Sequence, residues 1–143
     1  MKSTTAHYAR LFNRLAKENG EIHNAAITGI VGFSGGGPVS MCQVGEERGY
    51  VTVELSLYAE QKVSAEGIRF ELLSRSGLST ETTHSMLTAI GNLSMNAMLG
   101  NGHTIDLTQV VKSPDVRQVR LQLYSKAGLL WPKFGVYEVV LSQ

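Results

Sequence analysis

The clearest pattern in the chain is an alternation of apolar and polar residues over residues 50–58, YVTVELSLY. A period of two is typical of a strand that buries one face and exposes the other. The run at residues 68–74, IRFELLS, repeats the alternation. We therefore expect these two runs to be neighbouring antiparallel strands.

Two other segments have helical spacing, with apolar residues three or four positions apart. The first lies near the N terminus and the second follows Gly77; their apolar positions are Tyr8, Leu11, Phe12, Leu15 and Ala16, then Met86, Leu87, Ile90, Leu93, Ala97 and Met98. Ser79 is placed to cap the second helix, because its hydroxyl can accept from the free amides of the first turn. Gly100 and Gly102 are expected to end that helix, since glycine adopts a left-handed conformation without steric cost.

Further strand candidates are short apolar runs on both sides of the central helix. They are residues 25–33 and 39–44 before it, and residues 104–111, 116–124 and 136–141 after it. The order is helix, four strands, helix, three strands. This order predicts a single α+β domain over residues 1–143, with a mainly antiparallel sheet packed with two main helices, an N-terminal helix and a longer central one.

Charge and composition argue against several classes of partner. Lys and Arg total 13 against 12 for Asp and Glu, and no basic run occurs, so nucleic acid is not an expected partner. No apolar run approaches the roughly 20 residues that span a bilayer. The first residues also lack the apolar core of a signal peptide. We therefore expect a cytoplasmic protein with no membrane partner.

Motifs for cofactors and metals are weak. The glycine-rich run GIVGFSGGGP ends in proline where a phosphate loop would continue with lysine, so a hairpin turn is favoured. The four histidines do not have the spacing of a helical metal site. Cys42 lies in an apolar run and is expected in the core. The sequence therefore predicts no metal, no cofactor and no catalytic residue.

Two carboxylates and one histidine leave alternatives open. Glu54 and Glu71 lie opposite the apolar faces of their strands, so they are expected to be solvated or paired with Arg69 or Arg120. If they were buried together, they could do acid–base work.

The stretch GNGHTIDL contains a second ambiguity. Gly100, Gly102, His103 and Thr104 are interpreted as a structural motif between helix and strand, with the His103 ring bonding a nearby backbone carbonyl. The alternative is a cleft near His103 and Asp106 with Glu71 or Glu54 opposite, as in a small enzyme or ligand-binding protein.

Several short segments together resemble bacterial Suppressor-of-fused-like domains. They are HYARLFN, GYVTVELSLY, GIRFELLSRSG and the helix-ending glycine followed by GHTI. The chain departs from that pattern at SRSGLSTETTH, where family members commonly have a proline and a tryptophan. The resemblance implies a non-enzymatic α+β domain that binds another protein. Bacterial relatives resemble immunity proteins that neutralise a cognate toxin, and animal relatives hold a peptide in a cleft.

The predicted function is therefore partner binding of the immunity type. Large amphipathic residues are the candidate contacts: Tyr50, Glu54, Tyr58, Tyr124 and Trp131. One alternative is a structural subunit of a phage or secretion particle that forms a homo-oligomer through strand edges such as residues 116–124. The other is the ligand-binding protein or enzyme with a cleft near His103.

Overall fold

The computed structural model describes residues 22–28, 40–44, 49–53, 55–57, 60–127 and 133–142. Its strands are β1 (Ile22–Thr28), β2 (Ser40–Val44), β3 (Gly49–Val53), β4 (Ile68–Ser74), β5 (Thr104–Asp106), β6 (Gln118–Ala127) and β7 (Lys133–Ser142). The helices of this part of the chain are α1 (Thr80–Ser94) and a single 3-10 turn at Leu55–Leu57. The predicted N-terminal helix and the SGGGP turn lie outside the described residues.

The strands form one seven-stranded sheet in the order β1-β2-β3-β4-β7-β6-β5. β3 and β4 are antiparallel neighbours, as their alternating patterns predicted. β4 and β7 are parallel, because the chain between them crosses over through α1, β5 and β6. The predicted α+β class is confirmed, and the sheet is mixed, with one parallel pairing among antiparallel ones.

The main core lies between α1 and one face of the sheet, called here the helix face. Met86, Leu87 and Ile90 of α1 are fully buried in the same cluster as Phe70 of β4 and Tyr137 of β7. The two aromatic rings meet edge to face, with centroids 5.0 Å apart and planes at 81°. This arrangement suits the opposite charges of ring edge and ring face.

The opposite face of the sheet is also buried at its centre. Val51, Leu73 and Val136 are fully buried there, in one cluster with Cys42 and Val44. β4 is therefore buried on both faces along most of its length. This burial explains why the polar face predicted for β4 does not exist.

α1 begins as predicted and ends earlier than predicted. The Ser79 hydroxyl accepts from the Thr82 amide, which confirms the cap. The helix stops at Ser94, well before Gly100, because the Ser94 carbonyl accepts from the Lys62 amide at 2.8 Å and the Ser94 hydroxyl turns back to the Gly91 carbonyl. The next amide, Met95, bonds the Asn92 carbonyl in a tighter turn.

The predicted strand at residues 104–111 is reduced to the three residues of β5. The Asp106 carboxylate accepts from the Thr108 amide at 2.9 Å and from its hydroxyl at 2.6 Å. Val111 then donates its amide to the Leu107 carbonyl. These local bonds turn the chain away from the sheet.

β6 lies between β7 and β5, so its first residues have a partner strand on both sides. Residues 118–120 therefore offer no free edge to a second copy of the chain. Edge pairing through residues 116–124 would need the part of that segment outside residues 118–120, and it stays a prediction.

β3 also ends earlier than its alternation predicted, and polar side chains replace it along the edge of β4. The Thr52 hydroxyl accepts from the Leu72 amide at 2.8 Å. The Gln61 side chain then takes both main-chain groups of Phe70, at 3.0 and 2.9 Å. Ser64 bonds Ile68 in the same way, through its own amide and hydroxyl. The amides of Ile68, Phe70 and Leu72 and the carbonyls of Ile68 and Phe70 thus have partners on this edge.

Glu71 accepts hydrogen bonds from residues at the end of β3 and at the start of the 3-10 turn. One carboxylate oxygen accepts from the Thr52 hydroxyl at 2.7 Å and the Leu55 amide at 3.2 Å. The other accepts from the amide and hydroxyl of Ser56 at 2.9 and 2.6 Å. Glu71 is fully buried, so the predicted solvation of this side chain is wrong. Two of its four donors are the first amides of the 3-10 turn, which a carboxylate stabilises.

We predict that Glu71→Gln lowers the free energy of unfolding by about 2 kcal/mol, because the new NH2 group faces donors where an acceptor is required. Urea denaturation of the purified protein measures this change. Glu138→Gln is the matched control, since Glu138 pairs with Arg75 at 2.7 Å near the surface. Such a pair contributes under about 1 kcal/mol. Equal losses in the two variants would contradict a special role for Glu71.

Candidate functional site

The GNGH stretch joins the end of the α1 region to the β5 edge of the sheet. Gly102 has a φ of +86°, and its amide donates to the Leu121 carbonyl at 2.7 Å. The Leu121 amide returns a bond to the His103 carbonyl at 2.9 Å. Gly100 packs so closely on Ala65 that a Cβ at residue 100 would lie 2.8 Å from the Ala65 Cβ. Both glycines are thus required by geometry, and they place β5 beside β6.

A hydrogen-bond cluster that is buried at Tyr137 and Ser64 and reaches the surface at Asn101 fixes this corner to β7. The Glu66 carboxylate accepts from the Asn101 amide at 2.7 Å and from the Tyr137 hydroxyl at 2.5 Å. The Tyr137 oxygen also lies 2.7 Å from the Ser64 hydroxyl. Burial, and then the bond to Glu66, raises the pKa of Tyr137 well above its ordinary value. Asn101 adds a second link, because its side-chain oxygen accepts from the Leu123 amide at 2.8 Å.

With β5 held in this position, an open groove of about 620 Å³ lies between α1 and residues 105–110. One wall is the side of α1 next to its core face, and includes His84, Ser85, Thr88, Ala89, Asn92 and Leu93. The other wall is formed by Ile105, Asp106, Leu107 and Val110. The volume of the groove lies within the range of roughly 300–1,000 Å³ that is usual for ligand sites. We call this feature the α1–β5 groove.

The groove is mainly apolar, with a few polar groups on its walls. Val110 is 63 % exposed, so it adds accessible apolar surface to the groove. Asp106 is exposed, and its hydrogen bonds to the side chain and then the amide of Thr108 lower its pKa, so the group is a carboxylate at neutral pH. Asn92 has a buried side-chain oxygen without a hydrogen-bond partner among the described residues.

Tyr50 and Tyr124, the described residues among those predicted to contact a partner, do not line this groove. Tyr50 is 3 % exposed and its hydroxyl lies 2.7 Å from that of Thr80, so its ring belongs to the core. Tyr124 is half-buried on the opposite face of the sheet, with the Arg75 guanidinium 5.3 Å from its ring centre. Glu54, Tyr58 and Trp131 lie outside the described residues.

The structure brings together only part of the cleft that was predicted, as an alternative, near His103 and Asp106. Asp106 lines the α1–β5 groove, but His103 does not, and Glu71 is buried in the sheet. The His103 side chain is exposed, and within the described part of the chain its hydrogen bonds come from its main chain. Among the described residues, its ring therefore has no carbonyl partner of the kind that the sequence suggested. Thr104, also exposed, begins β5.

Cys42 is buried at 6 % exposure, as expected of a core cysteine. Burial, and secondarily the negative charge of Glu71, raises the pKa of its thiol. The thiol is therefore protonated at neutral pH, a state in which cysteine is a poor nucleophile.

The sequence did contain a signal for the helix wall that the prediction did not use. His84, Thr88 and Asn92 are spaced four residues apart, and Ser85, Ala89 and Leu93 repeat that spacing one position later. Such rows lie side by side on a helix. What could not be predicted is that residues 105–110 leave space beside them.

Comparisons of the chain with protein-family models, with curated proteins and with solved structures find no match. In the described ranges, no cluster of three or more His, Cys, Asp or Glu is arranged to hold a metal ion. The helices within those ranges are too short or too polar to cross a bilayer. The α1–β5 groove is therefore the feature on which we base a functional proposal.

We predict that Gly102→Ala lowers the free energy of unfolding by about 1–2 kcal/mol, since an L-residue pays that cost in the left-handed region. Gly100→Ala should also destabilise, through the contact with Ala65. His103→Ala, one residue further on, should change stability by less than about 0.5 kcal/mol because its side chain is exposed. Thermal unfolding compares the three variants. A larger loss for His103→Ala than for Gly102→Ala would contradict the structural reading.

We also predict that Tyr137→Phe costs about 1 kcal/mol at neutral pH, because Glu66 and Ser64 lose a buried partner. The folded-state pKa of Tyr137 lies above the ordinary 10.0. Above the ordinary pKa of 10.0, Tyr137 loses its proton in the unfolded chain but keeps it in the folded protein. The contribution of Tyr137 to the free energy of unfolding therefore falls as the pH rises.

Urea unfolding between pH 7 and 11 tests the alkaline effect. The gap between wild type and Tyr137→Phe should narrow above pH 10. The control Tyr50→Phe keeps Tyr137 and should retain the alkaline decrease. An unchanged gap across this range would show that Tyr137 is not the group responsible.

Proposed function

We propose that the chain is a non-enzymatic protein-binding domain of the Suppressor-of-fused-like, immunity type, which neutralises a cognate toxin in the cytoplasm by binding it. The observation that carries the proposal is the open α1–β5 groove, whose apolar lining includes the 63 % exposed Val110. An accessible apolar groove with a polar margin is a usual form for a site that binds another protein.

The buried polar groups support binding in preference to chemistry. Glu71 accepts four hydrogen bonds that hold the 3-10 turn and β3 in place. Glu66 and Tyr137 bond each other and hold the GNGH corner. These groups are occupied in stabilising the fold. Asp106, the carboxylate that lines the groove, is exposed, and exposed charge suits recognition.

Rigid walls on both sides of the groove favour a preformed site. α1 is anchored by its buried face, and β5 is held by β6 and by the GNGH corner. When the site is already formed, binding does not have to order a loop of this chain. The entropy cost of binding is then smaller, and more of the contact energy appears as affinity.

The test is binding to the product of the neighbouring reading frame. Isothermal titration calorimetry of the full chain with that purified protein should give a stoichiometric complex. Co-expression of the chain should also restore growth to cells that produce the neighbouring protein. Gly102→Ala, which weakens the fold around β5, should protect less well, and His103→Ala should protect like wild type. The absence of both a complex and protection would overturn the proposal.

A further inference from the structure

The α1–β5 groove has a chemistry that favours one kind of occupant. Among the described residues that line it, Asp106 is the carboxylate, His84 is the imidazole, and none is Lys or Arg. Both described hydrogen bonds to the Asp106 side chain go to Oδ1, from the amide and hydroxyl of Thr108. The turn therefore fixes the orientation of the carboxylate, and the residue itself is exposed. A fixed carboxylate on the wall of an apolar groove attracts a cation.

The apolar part of the groove sits beside that carboxylate. Ala89 and Leu93 contribute from α1, one turn apart on the helix, and Val110 contributes from the other wall. Ala89 and Leu93 also pack against the main core, so this wall is backed by fixed side chains. An apolar side chain inserted here would be covered from two sides, and burial of one such side chain gains roughly 1.5–3 kcal/mol.

Building on the proposed function, we infer that the groove receives a segment of the partner protein that carries an apolar side chain next to a lysine or arginine. The apolar side chain lies between Ala89, Leu93 and Val110, and the cationic group pairs with Asp106. The partner surface that fits is therefore basic and apolar, because the charge of Asp106 disfavours an acidic segment.

The test uses a phage-displayed library of random dodecapeptides, panned on the immobilised full chain. We expect selected peptides to carry Lys or Arg adjacent to a large apolar residue. Asp106→Asn should weaken their binding about three- to tenfold, because asparagine keeps the acceptor for Thr108 and removes the charge. Ala89→Gln, which adds a longer side chain to the helix wall of the groove, should weaken it at least about tenfold.

Asp115→Asn is the matched control, since Asp115 is an exposed carboxylate that does not line the groove. It should leave affinity unchanged, and thermal unfolding should show that all three variants fold like wild type. The inference is overturned if no peptide is enriched over an uncoated surface. It is equally overturned if the selected peptides are acidic, or bind Asp106→Asn as tightly as wild type.

The same variants separate this inference from the proposed function. If the neighbouring protein binds wild type, Asp106→Asn and Ala89→Gln equally well, immunity-type binding stands and the groove is not the site. If basic-apolar peptides bind through Asp106 but the neighbouring protein does not bind, the groove inference stands and the proposed partner is wrong.

Discussion

The central constraint of this fold is that β4 must satisfy both of its main-chain edges while both of its faces are buried. β7 satisfies one edge by parallel pairing. β3 pairs with only the C-terminal part of the other edge, and the side chains of Thr52, Gln61 and Ser64 complete it. An unpaired amide or carbonyl in such a dry position would cost about 1–3 kcal/mol. The chain between β3 and β4 is therefore arranged around hydrogen-bond satisfaction.

The functional surface follows from that arrangement through a chain of contacts. Ser64 and Glu66, in the segment that completes β4, bond Tyr137 of β7. Glu66 also bonds Asn101, which links to β6 through Leu123. This corner sets where β5 lies relative to α1, and the space between them is the α1–β5 groove. The groove is thus a consequence of how polar groups are buried near the centre of the sheet.

The position of a polar residue in the sheet decides whether its hydrogen bonds stabilise the fold or whether it is accessible at the surface. Glu71 and Asp106 are both carboxylates that accept bonds from nearby main-chain amides. Glu71 lies where two strands separate, and its whole capacity serves the fold. Asp106 lies at the end of an edge strand, where one oxygen organises a turn and the side chain is exposed. Their positions in the sheet decide which of them a partner can reach.

Local pattern was enough to determine the α+β class, the bounds of β4, the Ser79 cap and the need for glycine at residue 102. Each depends on periodicity or on backbone conformation, which neighbouring residues encode. The burial of Glu71, the early ends of β3 and α1, and the groove were decided by tertiary structure. They depend on hydrogen bonds between residues distant in sequence, such as Glu71 with Ser56 or Lys62 with Ser94. A pattern along one strand or helix does not say which segment will pack beside it.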